Sequence, residues 1–185
     1  MNKIFCAADI KEANGPFSLV APDHIADLLN MAAATPAGAF VEIGVYRGGT
    51  AFHLDRLAKE QGRFCYLYDT FEGIPYTSPV DHHQVGDFAD ASFEDIVKMV
   101  KVSTVVKGIF PESAISMRGP IAFVHLDCDQ HKSIIDSCLY LEPMMVKGGV
   151  MWFDDSPVLS GAEKAVMELY SDRVQILNGK HYVTF

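Results

Sequence analysis

The chain has 185 residues, with 15 Lys+Arg against 24 Asp+Glu and a formal net charge of −9. Hydrophobic residues make up 49% and charged residues 21%, the proportions of one ordinary globular domain with room for a core. These figures exclude a disordered or low-complexity chain, and the acidity argues against nucleic acid or an anionic membrane as a partner held by bulk charge.

The start, MNKIFCAADIKEANG, has a brief apolar patch followed by acids and lacks the apolar core of a secretory signal. Residues 19–34 contain Pro22, Asp23, His24 and Asp27, so they do not form a bilayer span. An amphipathic helix is predicted over Asp23–Ala34, with Pro22 suited to its first turn. Residues 1–35 are thus read as an N-terminal helical segment of a single domain, 1–185. Cys6, Cys65, Cys128 and Cys138 form no CxxC pair and are expected to be reduced thiols in a cytoplasmic protein.

From Ala39 onward, short apolar runs alternate with helix-like stretches. The runs are Ala39–Gly44, Phe64–Asp69, Val102–Val106, Ile121–Asp127 and Gly149–Asp154. Most are continuous rather than alternating, as in strands buried on both faces of a parallel sheet. Helices are predicted over His53–Gln61, Ser92–Lys101, Ser133–Met145 and Gly161–Tyr170. At the end, Val174–Leu177 and Tyr182–Phe185 flank Asn178-Gly179, a hairpin-turn dipeptide. The pattern predicts a doubly wound α/β fold, mostly parallel, with an antiparallel C-terminal hairpin.

Ligands of such folds sit outside the carboxyl ends of the strands, and three of these runs end in an acid. Several acids at that edge are costly unless a cation or a polar ligand compensates them. The first motif, Glu42-Ile-Gly44-Val-Tyr-Arg47-Gly48-Gly49-Thr50, closes one strand and opens a helix. Its glycines suit a sharp turn, and the helix start offers free N–H groups to an anion. The acid in the loop would repel a pyrophosphate but accept from an amino-acid ammonium, which favours S-adenosylmethionine over a nicotinamide cofactor. A plain strand-to-helix turn is the alternative. Asp69, 27 residues after Glu42, stands where an acid accepts from a ribose diol, or else caps a helix. Asp127 ends the fourth run and Asp154 the fifth, with Asp155 next in the chain. Neighbouring parallel strands lie roughly 5 Å apart, so these carboxylates are expected to converge on one divalent cation, Mg²⁺, Ca²⁺ or Mn²⁺. Acids that cap loops without a metal are the alternative.

The segments FVEIGVYRGGT, YDTFEGIP, FADASFEDI, VVKGIFPES, IAFVHLDCD, LEPMMVKGGVMWFDD and GAEKAVMELY, from about Phe40 to Tyr170, resemble the macrocin-type (TylF-like) O-methyltransferases. That resemblance implies a seven-stranded Rossmann-like methyltransferase sheet, S-adenosylmethionine as cofactor, Mg²⁺ or another divalent cation, and a small-molecule hydroxyl acceptor such as a sugar or natural product. It implies a cofactor-binding set of Glu42, Gly44, Arg47, Gly49, Thr50, Asp69, Thr70, Gly108, Ile109 and Asp127. Asp127, Asp154 and Asp155 match the metal ligands, and Asp129 matches the general base. Relatives often have Asp-Leu-Tyr-Glu-Ser where this chain has Asp129-Gln130-His131-Lys132-Ser133, so His131 and Lys132 stand beside Asp129 as candidate catalytic residues. Ser156 replaces a frequent tyrosine. A catechol-type enzyme, with Asp-Asn at the last metal position, and a non-catalytic nucleoside-binding relative are the competing readings.

His125 and Trp152 are expected to be core. His82-His83 lies in a loop, SPVDHHQVGDFAD, that suits either a lid over the site or a plain surface. The apolar stretches IFCAADI and FSLVA suit a homodimer interface as well as a core.

Overall fold

The computed structural model describes residues 4–115 and 117–185. Two helices, α1 (Ala7–Glu12) and α2 (Pro22–Ala34), come first. Then follow β1 (Ala39–Ile43), α3 (Gly49–Gln61), β2 (Cys65–Asp69), α4 (Phe93–Met99), β3 (Thr104–Lys107) and β4 (Ile121–Leu126). The chain ends with α5 (His131–Leu141), a 3₁₀ turn at Glu142–Met144, β5 (Met145–Phe153), α6 (Ser160–Tyr170), β6 (Gln175–Leu177) and β7 (Lys180–Thr184).

The seven strands form one sheet in the order β3-β2-β1-β4-β5-β7-β6. The pairs from β3 through β5 are parallel, while β7 runs antiparallel to both β5 and β6. This is the doubly wound sheet with a C-terminal hairpin that the alternation predicts. β1 and β4 are buried along their whole length, which explains their continuous apolar runs. On one face Phe40, Leu67, Phe123 and Trp152 pack against Leu28 and Leu29 of α2 and Leu54 and Leu57 of α3. On the other, Val41, Val124, Met151 and Phe153 pack against Ile134 and Leu141 of α5 and Ala165 and Val166 of α6. Covering both faces leaves the strand ends as the place for polar chemistry.

Several predicted boundaries move. Met145 opens β5 instead of closing a helix, because the 3₁₀ turn containing Pro143 ends the helical stretch first. Glu42 lies inside β1 rather than in the loop after it. The short helix α1 lies within the 1–35 segment read as helical; the Asp9 carboxylate accepts from the Cys6 N–H at its start. All four cysteines are free, with Cys65 and Cys138 buried. Among the described residues, no helix is long and apolar enough to cross a membrane.

Candidate active site

The carboxyl edge of β1, β2, β4 and β5 opens into a cavity of about 380 Å³. Glu42, Gly44, Arg47, Gly49, Thr50, Asp69, Thr70, Gly108, Ile109 and Asp127 all line it, as do Asp129, Asp154 and Asp155. His131 and Lys132 do not.

The β1–α3 turn forms one end. Gly44 has φ +90°, and a Cβ there would run into the main-chain oxygen of Asp127. The glycine therefore serves the close approach of two strand ends and not only that of a ligand. Asp69 pins the turn: its Oδ2 accepts from the N–H groups of Val45 and Tyr46, both at 2.8 Å, and its Oδ1 from Phe71 N–H at 2.7 Å. Thr70 donates its hydroxyl to the Gly73 oxygen at 2.7 Å. Arg47 stacks on Tyr46 and pairs with Asp90. Phe17–Val20 also lines the cavity, with Ser18 seated over Gly49. This N-terminal contribution was not legible as part of a site.

Glu42 is buried. Its Oε1 lies 2.9 Å from His125 Nδ1, and its Oε2 has no partner. Burial, opposed by His125, raises its pKa. Such an orphaned acceptor at the cavity wall fits a donor supplied by a ligand.

At the other end stand the strand-end acids. One carboxylate oxygen from each of Asp127, Asp154 and Asp155 lies within 4.8 Å of the others. Burial and the charges of Asp154 and Asp155 push Asp127 well above the usual carboxylate range. Burial, with Asp129 and Asp154, pushes Asp155 up to about 8. Asp154 goes the other way, to about 2, because His125 and Lys180 outweigh its burial.

The Lys180 ammonium donates to Asp154 Oδ2 at 2.9 Å and also to the Asp154 main-chain oxygen. Asp154 Oδ1 is buried, lacks a hydrogen-bond partner and sits 3.9 Å from His125 Nε2. Glu42, His125, Asp154 and Lys180 thus alternate in charge across β1, β4, β5 and β7, once His125 is protonated. Burial opposes that protonation, but Asp154, Glu42 and Asp127 outweigh it and raise His125 to about 10. His125 is buried, as expected of a core histidine, but it links two site acids. Lys180 was missed because its place depends on β7 running backwards, which brings the residue after the Asn178-Gly179 turn to the carboxyl edge of β5.

Asp129 has φ +57°, an uncommon conformation for a residue with a side chain. Burial first, with Asp154 and Asp87, pushes its pKa up to about 6. His83 Nε2 is 3.6 Å from its Oδ1. The Gln130 amide donates to the His83 oxygen at 3.1 Å, so the loop after β2 is fastened over this end of the cavity. His131 turns to Glu168 at 2.8 Å, and Lys132 pairs with Asp136 above the Tyr76 ring. Of the three candidate bases, the fold brings Asp129 alone to the cavity wall.

A seven-stranded sheet, parallel from β3 through β5 and closed by an antiparallel β7 between β5 and β6, is the Rossmann-like methyltransferase fold. The family profile described as "Methyltransferase domain" matches residues 41–156, and the chain belongs to that family. Among solved structures, the fold is similar to the O-methyltransferase NovP (TM-score 0.77, 19% identity, 90% of this chain and 81% of that one). It is also similar to CalS11, a calicheamicin methyltransferase (TM-score 0.72, 19% identity, 97% and 91%). A third is an O-methyltransferase from Bacillus cereus in complex with SAH (TM-score 0.59, 16% identity, 96% and 88%). A search of curated protein sequences finds no significant match.

Proposed function

We propose that the protein is an S-adenosylmethionine-dependent O-methyltransferase of the macrocin type, acting on a hydroxyl of a small molecule such as a sugar or natural product. The observation that carries this is the meeting of the β1 turn, the orphaned Glu42 oxygen and the acids of β4 and β5 in one cavity. NovP and CalS11 as fold neighbours support the reading, as do neighbours described as bound to SAH or SAM. The cofactor end is the stretch from Glu42 to Thr50 together with Asp69, Thr70, Gly108 and Ile109. Glu42 Oε2 would accept from the ammonium of the methionine part, and Asp69, which holds the turn, would face the ribose.

The acid cluster fits a divalent cation: three oxygens are close together, Asp154 Oδ1 is orphaned and every donor is a carboxylate. Asp127, Asp154 and Asp155 would hold Mg²⁺ or a similar ion, which supplies orientation and acidification of a bound hydroxyl. Methyl transfer needs the acceptor oxygen in line with the sulfonium and relieved of its proton. Asp129 takes that proton. The loop carrying His83 shields the oxygen from water.

The test is calorimetry and thermal melting with S-adenosylhomocysteine and Mg²⁺. Both are expected to raise the melting temperature, and more together than apart. A protein that responds to neither is not a methyltransferase of this kind.

A further inference from the structure

β7 runs back along β5 with His181 opposite Phe153, so the next residues out, Lys180 and Asp154, meet at the carboxyl edge. The Lys180 ammonium donates to Asp154 Oδ2 at 2.9 Å and to the Asp154 main-chain oxygen, which holds both the side chain and the backbone of that residue. His181 grips the same segment two residues on. Its N–H donates to the Ser156 oxygen at 3.0 Å, and its Nδ1 lies 2.7 Å from the Ser156 hydroxyl oxygen. Ser156 and His181 are both buried. The end of β5 is therefore clamped from β7 on either side of Asp155.

The clamp decides which carboxylate oxygens are left over. Asp154 Oδ1 has no donor: His125 Nε2, at 3.9 Å, is beyond hydrogen-bond range. The Asp154 side chain is only 9% exposed and lines the cavity. A buried carboxylate oxygen without a donor at a cavity wall points to a ligand that the chain does not supply. Asp155 is tethered in a similar way, its Oδ2 accepting from the main-chain N–H of Asp129 at 3.2 Å. Each of these two carboxylates thus has one oxygen tied to the protein. How many oxygens remain bears on which ion fits. Ca²⁺ takes about six to eight oxygens and often binds a carboxylate through both, whereas Mg²⁺ takes a small octahedral shell, keeps several waters and needs few protein oxygens. An ammonium against Asp154 Oδ2 occupies that oxygen and repels a cation brought to it.

We propose that Lys180 is a positioning residue that makes Asp154 a one-oxygen ligand, and that the site in consequence takes Mg²⁺ in preference to Ca²⁺. The proposal rests on the cation-assisted methyltransferase reading of the same cavity.

The experiment titrates magnesium chloride and calcium chloride separately, by calorimetry, into chelator-treated protein saturated with S-adenosylhomocysteine. The natural chain is expected to bind Mg²⁺ tighter than Ca²⁺ by about tenfold or more. Lys180→Met frees Asp154 Oδ2 and removes the repulsion, so Ca²⁺ gains more than Mg²⁺ and the ratio of the two affinities is expected to fall by about tenfold. A residue that only supports the fold would weaken both ions together and leave the ratio where it was. An unchanged ratio overturns the proposal, and so does a natural chain that prefers Ca²⁺. Removing one partner of a buried ion pair destabilises a protein. Should Lys180→Met fail to melt cooperatively, Lys180→Gln, whose shorter side chain falls short of Asp154, is read in the same way. A natural chain that binds S-adenosylhomocysteine but neither ion overturns the cation site and this proposal with it. Failure of S-adenosylhomocysteine itself to bind overturns the methyltransferase reading beneath both.

Discussion

Asp55 and Asp127 are the same residue type, one buried and the other half-buried at the cavity wall, and the fold treats them in opposite ways. Asp55, in α3, accepts from the N–H groups of Lys101, Val102 and Ser103 at 2.9, 3.0 and 2.9 Å and from the Ser103 hydroxyl at 2.7 Å. Burial would raise its pKa, but those four donors outweigh it and hold the group below the usual range. Asp127 has acids for neighbours, and burial with their charges drives it up. A buried carboxylate that the chain itself satisfies ties a helix to the sheet. One that the chain leaves crowded is waiting for a cation or a proton. The comparison can be broken at either end.

The largest effect is expected at the crowded end. If Asp129 is the proton acceptor as proposed, Asp129→Asn should lower kcat by about 10²–10⁴-fold. Asp127→Asn should cost roughly 10²-fold or more in activity, as befits a lost cation site worth several kcal/mol. It should also abolish the Mg²⁺ response while S-adenosylhomocysteine still binds, as calorimetry would read. Loss of both responses in a folded protein would place the cation elsewhere.

Asp55→Ala should do the reverse. It strands three main-chain N–H groups, each worth about 1–3 kcal/mol when buried without a partner. A loss of a few kcal/mol in chemical denaturation, with cofactor affinity per folded molecule unchanged, is the expected result. Asp127→Asn should leave stability level or raised, because it relieves like-charge repulsion.

How much of this contrast can be read from sequence depends on the range of the interaction. The strand-end acids are legible because a continuous apolar run followed by Asp says where a parallel strand stops. Gly44 and Gly49 are legible as a turn, although Gly44 answers to a neighbouring strand's carbonyl. The binding partners of Asp69 and Asp55 are main-chain N–H groups, which carry no sequence signal. Lys180 reaches the site through a reversed strand, so its partner Asp154 lies 26 positions away in the chain.

The pH dependence of stability separates the two kinds of acid, and the signs differ. Asp55 titrates lower in the folded than in the unfolded chain, so its stabilisation is present above the ordinary value of 3.8 and is lost as pH falls through the folded value. Asp129 and Asp155, raised to about 6 and about 8, hold protons that the unfolded chain has released. Their stabilisation is full below the ordinary carboxylate value of 3.8 and is lost as pH rises above it, completely once pH passes about 6 for Asp129 and about 8 for Asp155. In chelator, these two groups should therefore make the melting temperature fall as pH rises from about 4 to about 8. Mg²⁺ should flatten the fall by replacing the protons. A fall that Mg²⁺ leaves unchanged would mean that the crowded acids do not share a cation.

The smallest effects are expected at the two residues that sit beside the crowded end in sequence but not in space. His131 and Lys132 come two and three residues after Asp129, yet one is tied to Glu168 and the other to Asp136. Lys132 is well exposed, and an exposed pair contributes about 0–1 kcal/mol. Lys132→Met and His131→Gln should each change kcat by less than about threefold, since neither side chain reaches the cavity to act as acid or base. Loss approaching that of Asp129→Asn in either variant, with the pH–rate profile shifted, would move the proton acceptor one helical turn and reopen the choice that the local sequence Asp-Gln-His-Lys leaves undecided.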